Sequence, residues 1–251
     1  MIDNASDDGT AAMLSGRDGV QTVRLPTNVG GAGGFNKGLE VAYGRGFEWL
    51  WLLDDDTLPE SDCLEGLLGG LDRAPRRASV ITSVVLWRDR TLHPMNRPWL
   101  RWNRRGDFAE AAAVGLVPIR AATFVSTMVH RAAVERHGLP LAHYFLWLDD
   151  IEYTARVLRD EVGYMVPEST ALHWTERAYD TLSDTRDRFY FKVRNQLWLL
   201  RGHSFAGLDR LTYAVALARG IRTYLTTREP RAAAARTVLR GLRDGLGREP
   251  R

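Results

Sequence analysis

Apolar and polar positions along the chain switch between a two-residue and a 3.6-residue period, the signatures of strand and helix. Ile2 runs into a cluster of Asp, Asn, Ser and Gly at 3–10 that reads as the stub of a strand, a loop and a helix cap. Residues 20–25 alternate as a short strand, and 28–34 form a glycine-dense turn that opens a helix through Asn36, Lys37, Leu39 and Ala42. Phe47 and the run from Trp49 to Leu53 are apolar over strand length, suited to a sheet buried on both faces, and end abruptly in Asp54, Asp55 and Asp56. Residues 78–86 and 123–129 read as strands, 131–137 as a short helix, and 144–148 as an apolar segment that delivers Asp149 and Asp150 to a helix over 151–160. A strand at 163–167 leads to Leu172, His173 and Trp174. Between these, 92–108 is irregular, carries Pro94, Pro98, Trp99 and Trp102, and reads as a long functional loop or a lid. From Asp187 the pattern turns helical, with Phe189, Tyr190, Val193, Leu197 and Leu200 on one face, and stays so wherever Pro230 permits. The alternation predicts an α/β fold with a mostly parallel sheet over 1–200 and a helical, basic extension over 201–251.

Composition narrows the class. With 251 residues, 45% hydrophobic and 26% charged, the chain has ordinary globular usage, which argues against disorder and disulfide-stapled miniproteins. Cys63 stands alone, so neither an internal disulfide nor a Cys-based zinc site is expected, and a cytoplasmic setting is the default. No apolar stretch reaches the length of a membrane span, and no leader is visible at the first residues. A net charge of +3 without an aromatic-and-basic platform argues against a nucleic-acid partner. Charge is uneven, however: nine Arg fall between Arg219 and Arg251 against Glu229, Asp244 and Glu249. Val238, Leu239, Leu242 and Leu246 recur at helical spacing beside Arg236, Arg240 and Arg243. That pattern suits either a peripheral contact with an anionic membrane or a helix packed on the domain with a solvated basic face.

Three adjacent carboxylates after a buried strand repel one another, and a divalent cation resolves the conflict; Mn²⁺ and Mg²⁺ take hard oxygen ligands and bridge them to phosphate. A solvated, capping loop is the plainer reading. Asp149 and Asp150 repeat the arrangement, and one of them can serve as general base or the pair can cap a helix. His173 in its apolar setting is a core residue or a further metal ligand. The glycines at 30, 31, 33 and 34 suggest close backbone approach to a phosphate or sugar. They match neither the dinucleotide fingerprint nor the P-loop.

Taken in order, the segments 2–10, 28–38, 53–56 and 147–153, with His173, resemble the inverting nucleotide-sugar glycosyltransferases of family 2, which have the GT-A fold. The form of the glycine loop, Trp147 before the acidic pair and residues 190–195 look most like bacterial galactofuranosyltransferases, with rhamnosyltransferases close behind. The resemblance implies a nucleotide-sugar donor, UDP- or dTDP-linked, and a glycan or polyprenyl-linked glycan acceptor in envelope polysaccharide synthesis at the inner face of the cytoplasmic membrane. It implies that Asp3 contacts base or ribose, and that Asn28, Gly31, Asn36 and Lys37 shape the donor pocket. Asp54 and Asp56 stand at the DXD metal positions with His173 as a further ligand for Mn²⁺ or Mg²⁺, Asp55 lies on the ribose or diphosphate, and Asp150 is the general base. Arg194 and Asn195 reach the diphosphate or make a helix-surface salt bridge, and Trp147, beside Asp149, floors the acceptor sugar or packs in the core.

The leading expectation is a metal-dependent transfer of galactofuranose from UDP-galactofuranose; the alternatives are a dTDP-rhamnose rhamnosyltransferase and a non-catalytic sugar-nucleotide or glycan binder. Relatives begin with a further strand and helix of roughly 30–40 residues, by the size of a βα unit. An upstream start is therefore expected, and the chain as written is expected to fold poorly or be nearly inactive.

Overall fold

The structure is a computed structural model that describes residues 1–101, 105–176 and 186–247. Trp102 and the last arginines lie outside the described residues. In chain order the elements are β1 (Ile2–Asp3), α1 (Thr10–Ser15), β2 (Val23–Arg24), α2 (Gly30–Gly44), β3 (Trp49–Leu53), β4 (Thr57–Pro59), α3 (Cys63–Arg73) and β5 (Val80–Leu86). Next come β6 (Trp99–Leu100), α4 (Arg105–Ala113), β7 (Val117–Ala121), β8 (Ser126–His130), α5 (Arg131–His137) and α6 (Asp149–Val157). The chain closes with β9 (Gly163–His173), α7 (Phe189–Arg201), α8 (Gly207–Thr227) and α9 (Arg231–Gly247).

β1 and β2 pair parallel in a small sheet of their own, and the other strands form a seven-stranded sheet ordered β3-β8-β5-β9-β7-β6, with β4 on β9. This sheet is mixed, which corrects the expectation of mostly parallel pairing. The β5–β9 pair is parallel, while β3–β8, β5–β8, β7–β9, β6–β7 and β4–β9 are antiparallel. The crossover logic still holds in one respect: β3, β5 and β9 all point the same way, as these pairings require. β8 slots between β3 and β5 in the opposite sense, a non-local pairing that local periodicity does not encode. The carboxyl ends of β3, β5 and β9 therefore share one edge of the sheet, the place where open α/β sheets bind ligands.

The apolar run of β3 is buried on both faces for a visible reason. Leu50 and Leu52 pack with Leu39 of α2, Val80, Val129, Val134 of α5 and Tyr153 of α6. Trp49 and Trp51 face the other way, toward Leu67 of α3, Ile81, Met128 and Ala111 of α4. Two layers of helices thus cover the sheet, and a period of two sends alternate residues into each.

The C-terminal helices form a further cluster. Phe189 and Val193 of α7 pack with Leu217 and Tyr224 of α8 and with Ala234 and Val238 of α9. Gly241 and Gly245 let α9 lie against α7, since a Cβ at either would come within 3.1 Å of the carbonyl of Tyr190 or Arg194. Of the apolar residues assigned to the tail, Val238 is buried and Leu242 half-buried against α7, whereas Leu239 and Leu246 are 64% and 59% exposed. Packing thus takes half of that face.

Candidate active site

Asp54 to Asp56 leave the end of β3 in a tight turn, closed by Thr57 N–H donating to the Asp54 carbonyl (3.1 Å). β4 then pairs with β9 in a register that sets Thr57 opposite His173. This pairing carries Asp56 to the imidazole: His173 Nε2 lies 2.9 Å from Asp56 Oδ1. Ligand atoms of Asp54, Asp56 and His173 all fall within 4.8 Å of one another. The imidazole is buried while Asp54 is exposed and Asp56 half-buried, so the cluster opens to solvent on its carboxylate side.

His173 is held from behind. Its Nδ1 donates to Asn96 Oδ1 (2.8 Å), while Asn96 Nδ2 donates to Thr123 Oγ1 (3.0 Å). The His93 ring packs 4.8 Å from the His173 ring, and its Nε2 meets Thr175 Oγ1 at 3.1 Å. The stretch expected to be a long functional loop or a lid therefore places two buried residues, His93 and Asn96, under the cluster. Fixing the second ring nitrogen of a ligating histidine is what an outer shell does in metal sites.

The charges are strained as they stand. Desolvation at the cleft floor, with Asp56 and Asp55 beside it, pushes Asp54 up to about 6. Burial also works to raise Asp56, but the His173 hydrogen bond and charge outweigh it and hold its carboxyl below the usual range. His93 is pushed down to about 4, by burial and then by the neighbouring His173. Two carboxylates and an imidazole form a donor set that suits a divalent cation of borderline hardness, Mn²⁺ more than Mg²⁺.

Asp149 and Asp150 open α6, and Asp149 is buried with Asp150 half-buried behind it. Burial pushes both carboxyls up: Asp150 to about 7, and Asp149 well above the carboxylate range with the Asp150 charge adding to it. The negative charge of Asp54 raises both further, so the two acidic clusters, far apart in sequence, lie within electrostatic reach of each other. The segment before them is unusual: Phe145, Trp147 and Leu148 have φ of 64°, 65° and 68°. Such left-handed, bulky residues cost on the order of 1–3 kcal/mol each, and strain of this kind clusters at active sites.

The remaining candidates fall into two groups. Asn28, Asp55 and, in the first turn of α2, Gly31 are exposed, and nothing lies within 4 Å of where a Cβ at Gly31 would sit. Asp3, by contrast, is buried and spent within the protein: Oδ1 accepts from Ser6 N–H (2.9 Å) and Oδ2 pairs with Arg24 Nη1 (2.9 Å). Asn36 donates to the Pro140 carbonyl (2.6 Å), and Lys37 pairs with Glu40 on the surface of α2 (2.5 Å). Arg194 is buried and donates to the carbonyls of His143 (3.1 Å) and Tyr144 (2.7 Å), so it does not sit on the helix surface where a salt bridge was the other reading. Trp147 is half-buried.

The glycine run opens α2, as the pattern predicts, and forms its first turn. Gly30 N–H donates to Asn28 Oδ1 (2.8 Å) and Ala32 N–H to the Phe145 carbonyl (3.3 Å), so two of the leading amides are already engaged. Asn4, not singled out in the sequence, clamps this turn by donating to Asn28 Oδ1 (3.2 Å) and the Gly30 carbonyl (3.0 Å) and accepting from Val29 N–H (2.9 Å). Its position directly after β1 was the one available signal.

Residues 1–138 match the family described as glycosyl transferase family 2. The chain is 26% identical over 218 residues to galactofuranosyltransferase GlfT1 of Mycobacterium tuberculosis, covering 81% of this chain and 70% of that protein. It is 28% identical over 172 residues to the GlfT1 of Mycolicibacterium smegmatis, covering 65% of this chain and 56% of that protein's length. Among solved structures it is similar to residues 1–349 of S. aureus TarS, with TM-score 0.56, 13% identity, and 98% and 69% of the two chains covered. It is also similar to GalNAc-T7 with UDP, GalNAc and Mn²⁺, with TM-score 0.50, 11% identity, and 86% and 47% covered.

Proposed function

We propose, for a chain that belongs to glycosyl transferase family 2, that its cleft transfers galactofuranose from UDP-galactofuranose to a hydroxyl of a glycan or polyprenyl-linked glycan, with inversion at the anomeric carbon. The chain is a glycosyltransferase of the GT-A fold; donor, metal and acceptor belong to the proposal. The observation that supports it is the Asp54–Asp56–His173 cluster with a second acidic pair, Asp149–Asp150, within its electrostatic reach. The galactofuranosyl part rests on the names of the relatives.

Asp54, Asp56 and His173 would hold Mn²⁺ or Mg²⁺. A cation bound there offsets negative charge on a departing diphosphate. Asp55, Asn28 and Gly31 face the open side where a nucleotide would lie. Asp150 takes the proton of the acceptor hydroxyl as that oxygen bonds to the anomeric carbon. The bond from this carbon to the diphosphate breaks in the same step, and UDP leaves with the electron pair. Asp149, more deeply buried, keeps its proton and steadies its neighbour. Trp147, adjoining the pair, offers a face to the acceptor sugar.

A membrane-bound acceptor would suit the outer faces of the last two helices. Leu208, Leu211 and Val215 of α8 and Leu239 and Leu246 of α9 are exposed, alongside Arg236 and Arg243. No described helix is long and apolar enough to cross a membrane. The deciding experiment supplies UDP-galactofuranose, Mn²⁺ and a galactan-type acceptor, and follows UDP release and the anomeric configuration of the product by NMR. Inverted product from the native chain, with Asp150→Asn still binding UDP but not turning over, supports the reading. Undiminished transfer by Asp150→Asn overturns it.

A further inference from the structure

The segment 143–148 has no glycine and no ladder to hold it, yet it adopts three left-handed backbone conformations directly before the acidic pair. Three of its carbonyls point at a single side chain. Asn195 Nδ2 of α7 donates to the carbonyls of Tyr144 (3.0 Å), Leu146 (2.8 Å) and Trp147 (2.8 Å), and the residue is completely buried. Arg194 adds its two bonds to His143 and Tyr144, and its own Nε donates to Asn195 Oδ1 (2.9 Å), which orients the amide. Phe145 stacks on Phe191 at 5.1 Å. The opposite side of the segment rests on the donor-side helix, where the Phe145 carbonyl sits over Gly30 and accepts from Ala32 N–H.

We propose that Asn195, oriented by Arg194, is the positioning residue that shapes segment 143–148 and through it aims Asp149 and Asp150 at the Asp54–Asp56–His173 cluster. The roles of these aspartates rest on the function proposed above. Leu148 is the cap of α6, and its carbonyl accepts from Glu152 N–H (2.9 Å), so the path of 145–148 sets the direction in which α6 starts. Alanine would remove the donor that the Leu146 and Trp147 carbonyls share and leave the Tyr144 carbonyl to Arg194 and the Leu146 N–H, and aspartate would set a negative charge among all three. The support extends outward, because α7 is braced by α9 through Tyr190 Oη donating to Asp244 (2.8 Å) and through the close approaches at Gly241 and Gly245. The C-terminal helices are on this account the backing of the catalytic loop.

The test compares the native chain with Asn195→Asp and with the milder Asn195→Ser, which keeps one donor. Three readouts are taken: hydrogen exchange of the 143–150 amides, UDP binding with Mn²⁺ by calorimetry, and turnover of UDP-galactofuranose. Expected are faster exchange confined to 143–150, UDP affinity within about threefold, and a fall in kcat of roughly 100-fold, the usual consequence of misplacing a reacting group by about 1 Å. Asn195→Ser lies between native and Asn195→Asp in all effects. A merely structural residue would instead raise exchange across the sheet and weaken UDP binding in step with turnover, and that result, or native exchange at 143–150 in Asn195→Asp, overturns the proposal. If the native chain does not turn over UDP-galactofuranose, the function proposed above has failed, while the exchange contrast still decides whether Asn195 shapes the loop.

Discussion

Gly30 and Gly31 are neighbours in one helical turn, and the structure assigns them opposite consequences. Gly30 has φ of 74°, and a Cβ there would lie 2.0 Å from the Phe145 carbonyl oxygen and 2.6 Å from its carbon. The left-handed conformation alone costs an L-residue roughly 1–2 kcal/mol. Relieving the overlap requires the Phe145 carbonyl to retreat, and this carbonyl belongs to a segment pinned on its far side by Asn195 and Phe191. Forcing such a shift in a packed region costs about 1–3 kcal/mol. Gly30→Ala should therefore destabilise by about 2–5 kcal/mol, which for a chain of this size lowers Tm by roughly 5–15 °C. Gly31→Ala meets nothing within 4 Å and has ordinary helical φ, so it should be neutral or stabilise by up to about 1 kcal/mol. Urea unfolding of both variants followed by far-UV circular dichroism is the assay. If the two differ by less than about 1 kcal/mol, the contact between the donor-side helix and the loop before Asp149 is not as described.

Three further outcomes follow from the same geometry. With Asp150 at about 7, the base proposed above is protonated in mild acid, so kcat/KM should climb about tenfold per pH unit up to pH 7 and level off above it. The raised pKa also means that the folded chain binds a proton the unfolded chain has released between pH 4 and 7. Stability from this group is present at low pH and lost as pH rises through 7, and Asp150→Asn should be more stable than the native chain at pH 8, by roughly 1–4 kcal/mol. Leu239→Glu with Leu246→Glu should leave UDP binding intact and reduce sedimentation with phosphatidylglycerol vesicles at least tenfold; equal sedimentation contradicts the membrane contact.

Much of the fold was legible because burial on two faces writes a direct pattern. The run from Trp49 to Leu53 announces β3, and the helix at 131–137 falls where its spacing put it. Strand neighbours were not legible, since β8 enters between β3 and β5 through contacts that no local period records. For the site, the clustered carboxylates stood out: Asp54, Asp149 and Asp150 are each pushed above the usual range by burial and by their acidic neighbours, while Asp56 is held down by His173. Residues that hold the charged ones did not. Asn4 and Asn96 are ordinary polar positions in the sequence, and Asn195 was read only for the diphosphate or a surface salt bridge; their structural importance lies in which carbonyls and rings the fold brings to them. Asp3 and Arg194, both expected at the ligand, are engaged by internal partners, Arg24 and the Tyr144 carbonyl.

The central claim is that Asp54, Asp56 and His173 form a divalent-metal site that holds a uridine nucleotide. Calorimetric titration of the chain with UDP, with and without Mn²⁺, and of Asp56→Ala under the same conditions tests it most directly. The account predicts UDP binding that requires Mn²⁺ in the native chain and disappears in Asp56→Ala. UDP binding of equal strength with and without the metal, or unaltered in Asp56→Ala, would contradict it.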